Sequence, residues 1–358
     1  MDEKKIKIHH KYLKLALEQA KKGRGLCFPN PCVGAIAVQN DEIVGAAYHH
    51  GAGNDHAEAL LLKELAPGLK NIELYVTLEP CNHWGRTPPC VNAIINYKVQ
   101  KVVFACYDPH KHIETNDTTQ ILQSHGIEVE YCQVPEIDVF YQSYHHWVKT
   151  KTPFVTAKWA QSLNAKVGYH HQRIQLTNDT ANLFTHQQRL QTDMILTTAN
   201  TILCDHPQFN VRLNGIDRGK PLAILDSKLR LTGQERCFSK ATEIHIFHRN
   251  DMLPRFFMDK VHYHSMDSGS PLDLEKVMSV IGRLGVHDLW VEAGPQLMAS
   301  LHDEKRVHKT HILMTPTLLK NDALDAFSMK TPIFEQPYQL QFQPMDDNML
   351  TTFLWQEI

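Results

Sequence analysis

Residues 75–90 read YVTLEPCNHWGRTPPC, and shortly upstream stands His56-Ala57-Glu58. An apolar run, Tyr75 to Leu78, closes a strand predicted over Glu73–Leu78. Each cysteine, Cys81 and Cys90, follows a proline, the residue that favours the first position of a helix. CVNAIINY at 90–97 reads as that helix. A helix N-terminus favours negative charge and so lowers a thiol pKa. One imidazole and two thiolates suit a tetrahedral zinc whose fourth position is left for water. Glu58 lies two residues beyond His56, at the start of a helix predicted over 57–65. There the first residue need not be helical, so both side chains reach one site. Zinc brings the pKa of bound water toward about 7, and Glu58 would take that proton and pass it to departing ammonia. This is the logic of zinc nucleobase deaminases, in which the glutamate is not a ligand. The alternative is an unrelated histidine with two structural cysteines, or a closed site with Cys27 or Cys32 as fourth ligand; structural zinc more often has four protein ligands.

Outward from this stretch the first half alternates helix and strand. Helices are predicted over 9–22, 57–65, 90–97 and 117–124. Strands are predicted over 33–38, 43–48, 73–78, 99–106 and 127–131, which makes an α/β domain. The polar segment 147–153 (WVKTKTP) marks the boundary, dividing the chain into 1–148 and 149–358. The second half is again α/β. Strands are expected at 154–159, 194–198, 222–226, 243–247, 288–292, 311–314 and 350–356, and helices at 180–191 and 295–303. It has no GxGxxG after a strand, so a Rossmann dinucleotide site is unsupported. It does have VEAGP at 291–295, a strand–helix turn whose Gly294 lets backbone approach a ligand and whose helix start offers N–H donors to phosphate.

The chain has 358 residues, which suggests two domains at roughly 100–200 residues each. A 42% hydrophobic content excludes a disordered chain. With 37 basic and 39 acidic residues, no charge excess drives binding to nucleic acid or an anionic membrane. No apolar run approaches the roughly 18 residues of a membrane helix, and the charged N-terminus shows no secretory h-region. Eight dispersed cysteines fit reduced thiols and a cytoplasmic location. Most of the 23 histidines are expected on the surface.

The 75–90 stretch closely resembles the bifunctional deaminase–reductases of riboflavin biosynthesis. Cytidine and adenosine deaminases usually place two residues between the cysteines; here there are eight, Asn82 to Pro89, including the Gly-Arg-Thr-Pro-Pro insert of the riboflavin branch. Further matches are Pro29-Asn30-Pro31-Cys32-Val33-Gly34, Tyr48-His49 with Gly53, Lys158 to Leu163, Thr201 to Pro207 with Asn210 to Arg212, and Pro221 to Arg230. The resemblance covers essentially the whole chain. It implies a cytidine-deaminase-like α/β/α domain followed by a dihydrofolate-reductase-like α/β domain. It also implies one zinc per chain, NADPH, and a homodimer or tetramer. The first reaction would remove an amino group from 2,5-diamino-6-ribosylamino-4(3H)-pyrimidinone 5′-phosphate, and the second would reduce the ribosyl group to ribityl. By motif, Asn30, His49, Arg86 and Asp108 would hold the pyrimidine or its phosphate. Lys158, Asp205 and Glu292 would surround the ribose, with Arg212 or Arg189 on the phosphate, and Ser162, Thr177, Thr201 and Gly294 would contact NADPH.

The chain also departs from that pattern. SLDG is Ser162-Leu163-Asn164-Ala165; the WIT segment is Gln175-Leu176-Thr177; lysine occupies 320 where glycine is usual; and the loop 108–116 loses an Asn-Pro and both glycines. Ala165 and Lys320 would obstruct a ligand if their turns need φ > 0. Two other organisations therefore stay open: an active deaminase with a degenerate C-terminal half, and a non-catalytic paralogue. The intact Glu58 argues against the latter.

Overall fold

The protein is described from a computed structural model covering residues 3–85, 87–110, 117–169, 174–267, 271–327 and 336–356. The chain divides into two compact units, Met1–Thr150 and Lys151–Ile358.

The first unit runs α1 (Glu3–Lys22), β1 (Gly34–Gln39), β2 (Glu42–Tyr48), α2 (Ala57–Glu64), β3 (Glu73–Val76), α3 (Cys90–Tyr97), β4 (Lys101–Phe104), α4 (Thr118–Ser124), β5 (Glu128–Tyr131) and α5 (Pro135–Thr150). Its sheet has the order β2-β1-β3-β4-β5; β1 is antiparallel to both neighbours, and β3, β4 and β5 are parallel. Strand alternation sends side chains to two faces. Ile36, Val38, Tyr75 and Val103 pack against Leu13 and Leu17 of α1 and Ile137, Tyr141 and Tyr144 of α5. Ala35, Ala37, Leu74, Val76 and Val102 pack against Leu61 of α2, Ile94 of α3 and Leu122 of α4. This is an α/β/α sandwich. α1 lies so close to β1 that a Cβ on Gly34 would stand 2.1 Å from the Ala16 carbonyl oxygen.

Helix α5 was not anticipated. Its buried Ile137, Tyr141 and Tyr144 follow the i, i+4, i+7 spacing, but the tyrosines and histidines around them blur the apolar stripe.

The second unit continues with β6 (Phe154–Ser162), β7 (Lys166–Gly168), α6 (Asp179–Gln191), β8 (Met194–Thr198), α7 (Ala199–Asp205), β9 (Val211–Leu213), β10 (Ile216–Arg218), β11 (Leu222–Leu225), α8 (Arg236–Lys240) and β12 (Ile244–Arg249). After these come β13 (Val261–Met266), α9 (Leu274–Arg283), β14 (Asp288–Val291), α10 (Pro295–Asp303), β15 (Lys309–Thr315), β16 (Leu324–Asp325), β17 (Tyr338–Met345) and β18 (Asn348–Trp355). Nine strands form one sheet, β13-β12-β11-β8-β14-β6-β15-β18-β17. The strands from β13 to β15 are parallel, and β18 pairs antiparallel with β15 and β17. Apolar β8, β11, β12 and β14 are buried, as strands covered on both faces must be. In such open sheets ligands bind beyond the carboxyl ends of the parallel strands.

Candidate metal centre and reductase cavity

In the first unit, three ligand atoms converge where the sequence places them. His56 is the N-cap of α2, with φ −66° and ψ 158°, and so is extended rather than helical. Pro89 caps α3, whose first residue is Cys90. Cys81 follows the carboxyl end of β3. His56 Nδ1 lies 3.2 Å from Cys90 Sγ and 3.4 Å from Cys81 Sγ, and the two sulfurs are 3.4 Å apart. A tetrahedral zinc with ordinary bond lengths separates such ligands by about 3.5–3.8 Å, so the trio fits zinc after a shift of a few tenths of an ångström. Among the described residues no other group of histidine, cysteine and acidic side chains gathers as a metal-binding set. Cys27 is not a fourth ligand: its thiol donates to the His49 carbonyl at 3.0 Å.

Electrostatics match the geometry. The hydrogen bond from Cys90 holds the Cys81 thiol well below its ordinary range, with His56 adding to it, while Cys90 is held high by that bond and by burial. The Cys90 amide also donates to Cys81 Sγ at 3.3 Å. Glu58 is 3% exposed, and burial, then the Cys81 charge, pushes its carboxyl up to about 7. A bound cation would act in the opposite direction. Thr87, which the sequence reading overlooked, places its hydroxyl 3.3 Å from His56 Nε2. With Nε2 so engaged, Nδ1 is the nitrogen left for a metal.

Of the expected pyrimidine contacts, Asn30 and His49 come together beside this centre. Asn30 Nδ2 is 3.0 Å from His49 Nε2, His49 Nδ1 is 3.1 Å from the Asp55 carbonyl, and the His49 and His56 rings meet edge-on at 5.3 Å. His49 is 2% exposed, and burial lowers its pKa. The neutral ring holds the Asn30 amide. Asp108 accepts from the His110 amide at 2.9 Å within its own turn and from the Tyr144 hydroxyl of α5 at 3.2 Å. Arg86 and residues 111–116 of the altered loop lie outside the described residues.

In the second unit a cavity of about 720 Å³ opens at the carboxyl ends of β8, β11 and β14. Lys158, Arg189, Asp205, Glu292, Thr177, Thr201 and Gly294 all line it. Ser162 and Arg212 are not among the lining residues. Ser162 is buried, its hydroxyl donating to Asn164 Oδ1 at 2.7 Å and accepting the Lys166 amide at 3.0 Å. Arg212 is exposed and bonds to Gln208 and Asn210.

The register of parallel strands explains the cavity floor. Val291 of β14 pairs with Ala157 of β6, so Glu292 and Lys158 follow side by side. Lys158 in turn pairs with His311 of β15. Burial lowers the pKa of Lys158, opposed by the Glu292 charge. Burial would raise Glu292, but Arg189, then Lys158 and the indole of Trp290, bring it down to about 2. Arg189 Nε and Nη2 donate to Glu292 Oε1 and Oε2 at 2.6 and 2.8 Å. His311 was not singled out from the sequence; burial, with Lys309 and Lys158 nearby, pushes it down to about 3. Gly294 has extended backbone, and a Cβ there would meet nothing within 4 Å. Its turn therefore leaves open space in front of the α10 N-terminus, the kind of cradle a nucleotide phosphate occupies.

The departures are accommodated unequally. Asn164 Oδ1 accepts the Leu319 amide at 3.1 Å and Nδ2 donates to the Leu319 carbonyl at 2.8 Å, tying two loops together. Ala165 sits at φ 55°, where glycine would be unstrained. Lys320 is not among the residues of positive φ.

Comparison with known proteins decides the family. Residues 6–106 match the cytidine and deoxycytidylate deaminase zinc-binding region, and residues 153–328 match the RibD C-terminal domain. The riboflavin biosynthesis protein RibD of Escherichia coli K12 is 32% identical over 87% of this chain and 89% of its own length. The chain belongs to the RibD family. RibD of Aquifex aeolicus is 30% identical, covering 87% of this chain and 88% of its own. A Thermotoga maritima structure described as a diaminohydroxyphosphoribosylaminopyrimidine deaminase/5-amino-6-(5-phosphoribosylamino)uracil reductase superposes with a TM-score of 0.86. It is 25% identical, and the match covers 98% of this chain and 99% of that one. RibD of Acinetobacter baumannii gives the same TM-score, 0.86, at 25% identity, covering 98% of this chain and all of that one. As a RibD-family member the chain is a bifunctional enzyme of riboflavin biosynthesis. A zinc-binding deaminase domain precedes an NADPH-dependent reductase domain of dihydrofolate-reductase-like fold.

Proposed function

We propose that the chain deaminates 2,5-diamino-6-ribosylamino-4(3H)-pyrimidinone 5′-phosphate and then reduces the ribosyl group of the product to ribityl. The activity boundary is assigned at 148/149, a reading supported by the division of the fold at Thr150. His56, Cys81 and Cys90 would hold zinc. When bound, zinc supplies the Lewis acidity that makes water nucleophilic near neutral pH. Glu58 takes the proton of the attacking water and delivers it to the amino nitrogen that leaves as ammonia. The convergence of three ligand atoms beside one buried carboxylate carries this reading. Asn30, held by His49, is assigned to the pyrimidine.

Reduction breaks the C1′–O4′ bond, adds a hydride at C1′ and a proton at O4′. NADPH supplies the hydride. The proton is assigned to Lys158, which lines the cavity beside Glu292. Thr177, Thr201 and Gly294 are assigned to the cofactor, and Asp205 to the sugar. The cavity, open and lined by these residues, favours a live reductase over a degenerate one.

We further assign a cytoplasmic location and a homo-oligomer, a dimer or tetramer. None of the eight cysteines is joined in a disulfide among the described residues, which supports a reducing compartment. Among the described residues no helix is long and apolar enough to cross a membrane. The edge strand β17 exposes Leu340 and Phe342, at 40% and 64%, which supports self-association. Incubating the purified protein with the diaminopyrimidine phosphate, with and without NADPH, tests the function. Ammonia alone is expected without cofactor, and the ribityl product with it. Absence of ammonia would overturn the deaminase substrate, and absence of NADPH oxidation the reductase.

A further inference from the structure

Helix α5 carries a tyrosine that none of the chemistry above uses. Tyr141 is fully buried, its ring part of the core that α1, β3 and α5 share. At the tip of the ring the hydroxyl meets two segments of the first unit. It lies 2.9 Å from the Cys32 carbonyl oxygen and 2.7 Å from Thr77 Oγ1. Thr77 Oγ1 in turn accepts the Gly34 amide at 3.1 Å. The proton positions follow from the partners. A carbonyl can only accept, so the one tyrosine proton goes to Cys32. Thr77 must then supply the proton between the two hydroxyls. The bonds therefore form a string with one direction: Gly34 amide to Thr77, Thr77 to Tyr141, Tyr141 to the Cys32 carbonyl. Burial raises the Tyr141 pKa well above its ordinary value, so the hydroxyl keeps its proton.

Both segments belong to the deaminase centre. Asn30 to Cys32 lie in no helix or strand, so a carbonyl there must find its partner outside any ladder. Asn30, in that stretch, is the residue assigned to the pyrimidine. Thr77 stands just past the last residue of β3, four residues before Cys81. We propose that Tyr141 is a positioning residue for the deaminase: acting through Thr77, it pins the Asn30–Gly34 segment to the end of β3 that leads to Cys81. The pin sets where the pyrimidine contact stands relative to the metal ligands. This rests on the assignment of Asn30 above and deepens it.

The test uses the full-length protein with Tyr141→Phe and, separately, Thr77→Val, each of which removes one hydroxyl and little volume. With the segment unpinned, the free energy of ordering it is drawn from substrate binding. The KM for the diaminopyrimidine phosphate in ammonia release should rise about tenfold, the scale of one lost buried hydrogen bond. The kcat should hold within about twofold and zinc content should stay at the wild-type value, because neither variant touches the metal ligands or Glu58. Thr77→Ser retains the hydroxyl and should restore the wild-type KM. The two lesions break one string, so the double variant should raise KM no further than the larger single one. Hydrogen exchange at the amides of residues 30–34, read by mass spectrometry without substrate, should quicken in Tyr141→Phe and Thr77→Val while β4 stays protected. If the wild type releases no ammonia from this compound, the exchange still decides the pin and only the substrate assignment falls. Unchanged KM in an active enzyme, or unchanged exchange, would overturn the proposal. So would loss of zinc from Tyr141→Phe, which would make the hydroxyl a support of the whole fold, or effects that multiply in the double variant, which would make the two hydroxyls independent.

Discussion

His56 and Glu58 reach one site because His56 is extended while Glu58 already belongs to the first turn of α2. A fully helical pair two residues apart would point to opposite sides. Glu58→Gln keeps the shape but cannot carry a proton. It should retain zinc and release ammonia about 10²-fold more slowly, the scale of general acid–base catalysis; near-normal turnover removes Glu58 from the mechanism. Cys81→Ala removes one of three ligands and should cost most of the bound zinc by elemental analysis, whereas full occupancy would refute the trio. These residues were legible in the sequence because metal chemistry dictates residue type; the proline before Cys90 marks the start of α3, whereas Pro80-Cys81, expected to open a helix as well, does not. Thr87 was not legible, since a hydroxyl turned toward His56 Nε2 leaves no pattern in the chain. Lys158 and Glu292 were found by motif, but their pairing with each other and with His311 is set by strand register, which local sequence does not carry.

α1 shows what holds an element to the sheet far from any motif. His9, 2% exposed, places Nε2 2.9 Å from Glu130 of β5 and Nδ1 3.1 Å from the Tyr75 hydroxyl of β3. Lys5 and Lys101 complete the cage on Glu130, Lys101 at 2.8 Å. Burial alone would raise the Glu130 pKa, but the hydrogen bonds from Lys101, Lys5 and His9 hold it well below the carboxylate range. A carboxyl whose folded pKa is depressed stabilises fully above its unfolded pKa of about 4.3 and loses that contribution as pH falls toward the folded value. The first unit should therefore lose melting temperature between about pH 5 and pH 3. Glu130→Gln should be less stable near neutrality and show a flatter acid dependence. Parallel acid profiles for wild type and variant would show that the cage contributes nothing. At this scale, buried strands such as β8 and β11 were readable as continuous apolar runs. β13, with VHYHSM, and β17, exposed along most of its length, were not, because neither carries a buried stripe.

Among the described residues, those assigned to each chemistry fall within one unit. His56, Glu58, Cys81 and Cys90 belong to Met1–Thr150, whereas every residue lining the reductase cavity belongs to Lys151–Ile358. The polar stretch at 147–153 signalled that division even though α5 runs through it to Thr150, because a helix end with few apolar residues reads as a linker. Two compact units with separate cores imply that a lesion in one site leaves the other working. In the full chain, Glu58→Gln should oxidise NADPH at the wild-type rate when given the deaminated ribosyl compound. Glu292→Gln should release ammonia at the wild-type rate and accumulate that same compound. The intermediate must then leave one unit and enter the other, so mixing the two variants should restore the two-step conversion. Its rate should rise with the concentration of either variant and be preceded by a lag while the intermediate builds up. Chromatographic analysis of the mixture over time measures both. Failure of the mixture to form the ribityl product, although each variant performs its own half, would mean that the intermediate is passed within one molecule and that the two sites are coupled.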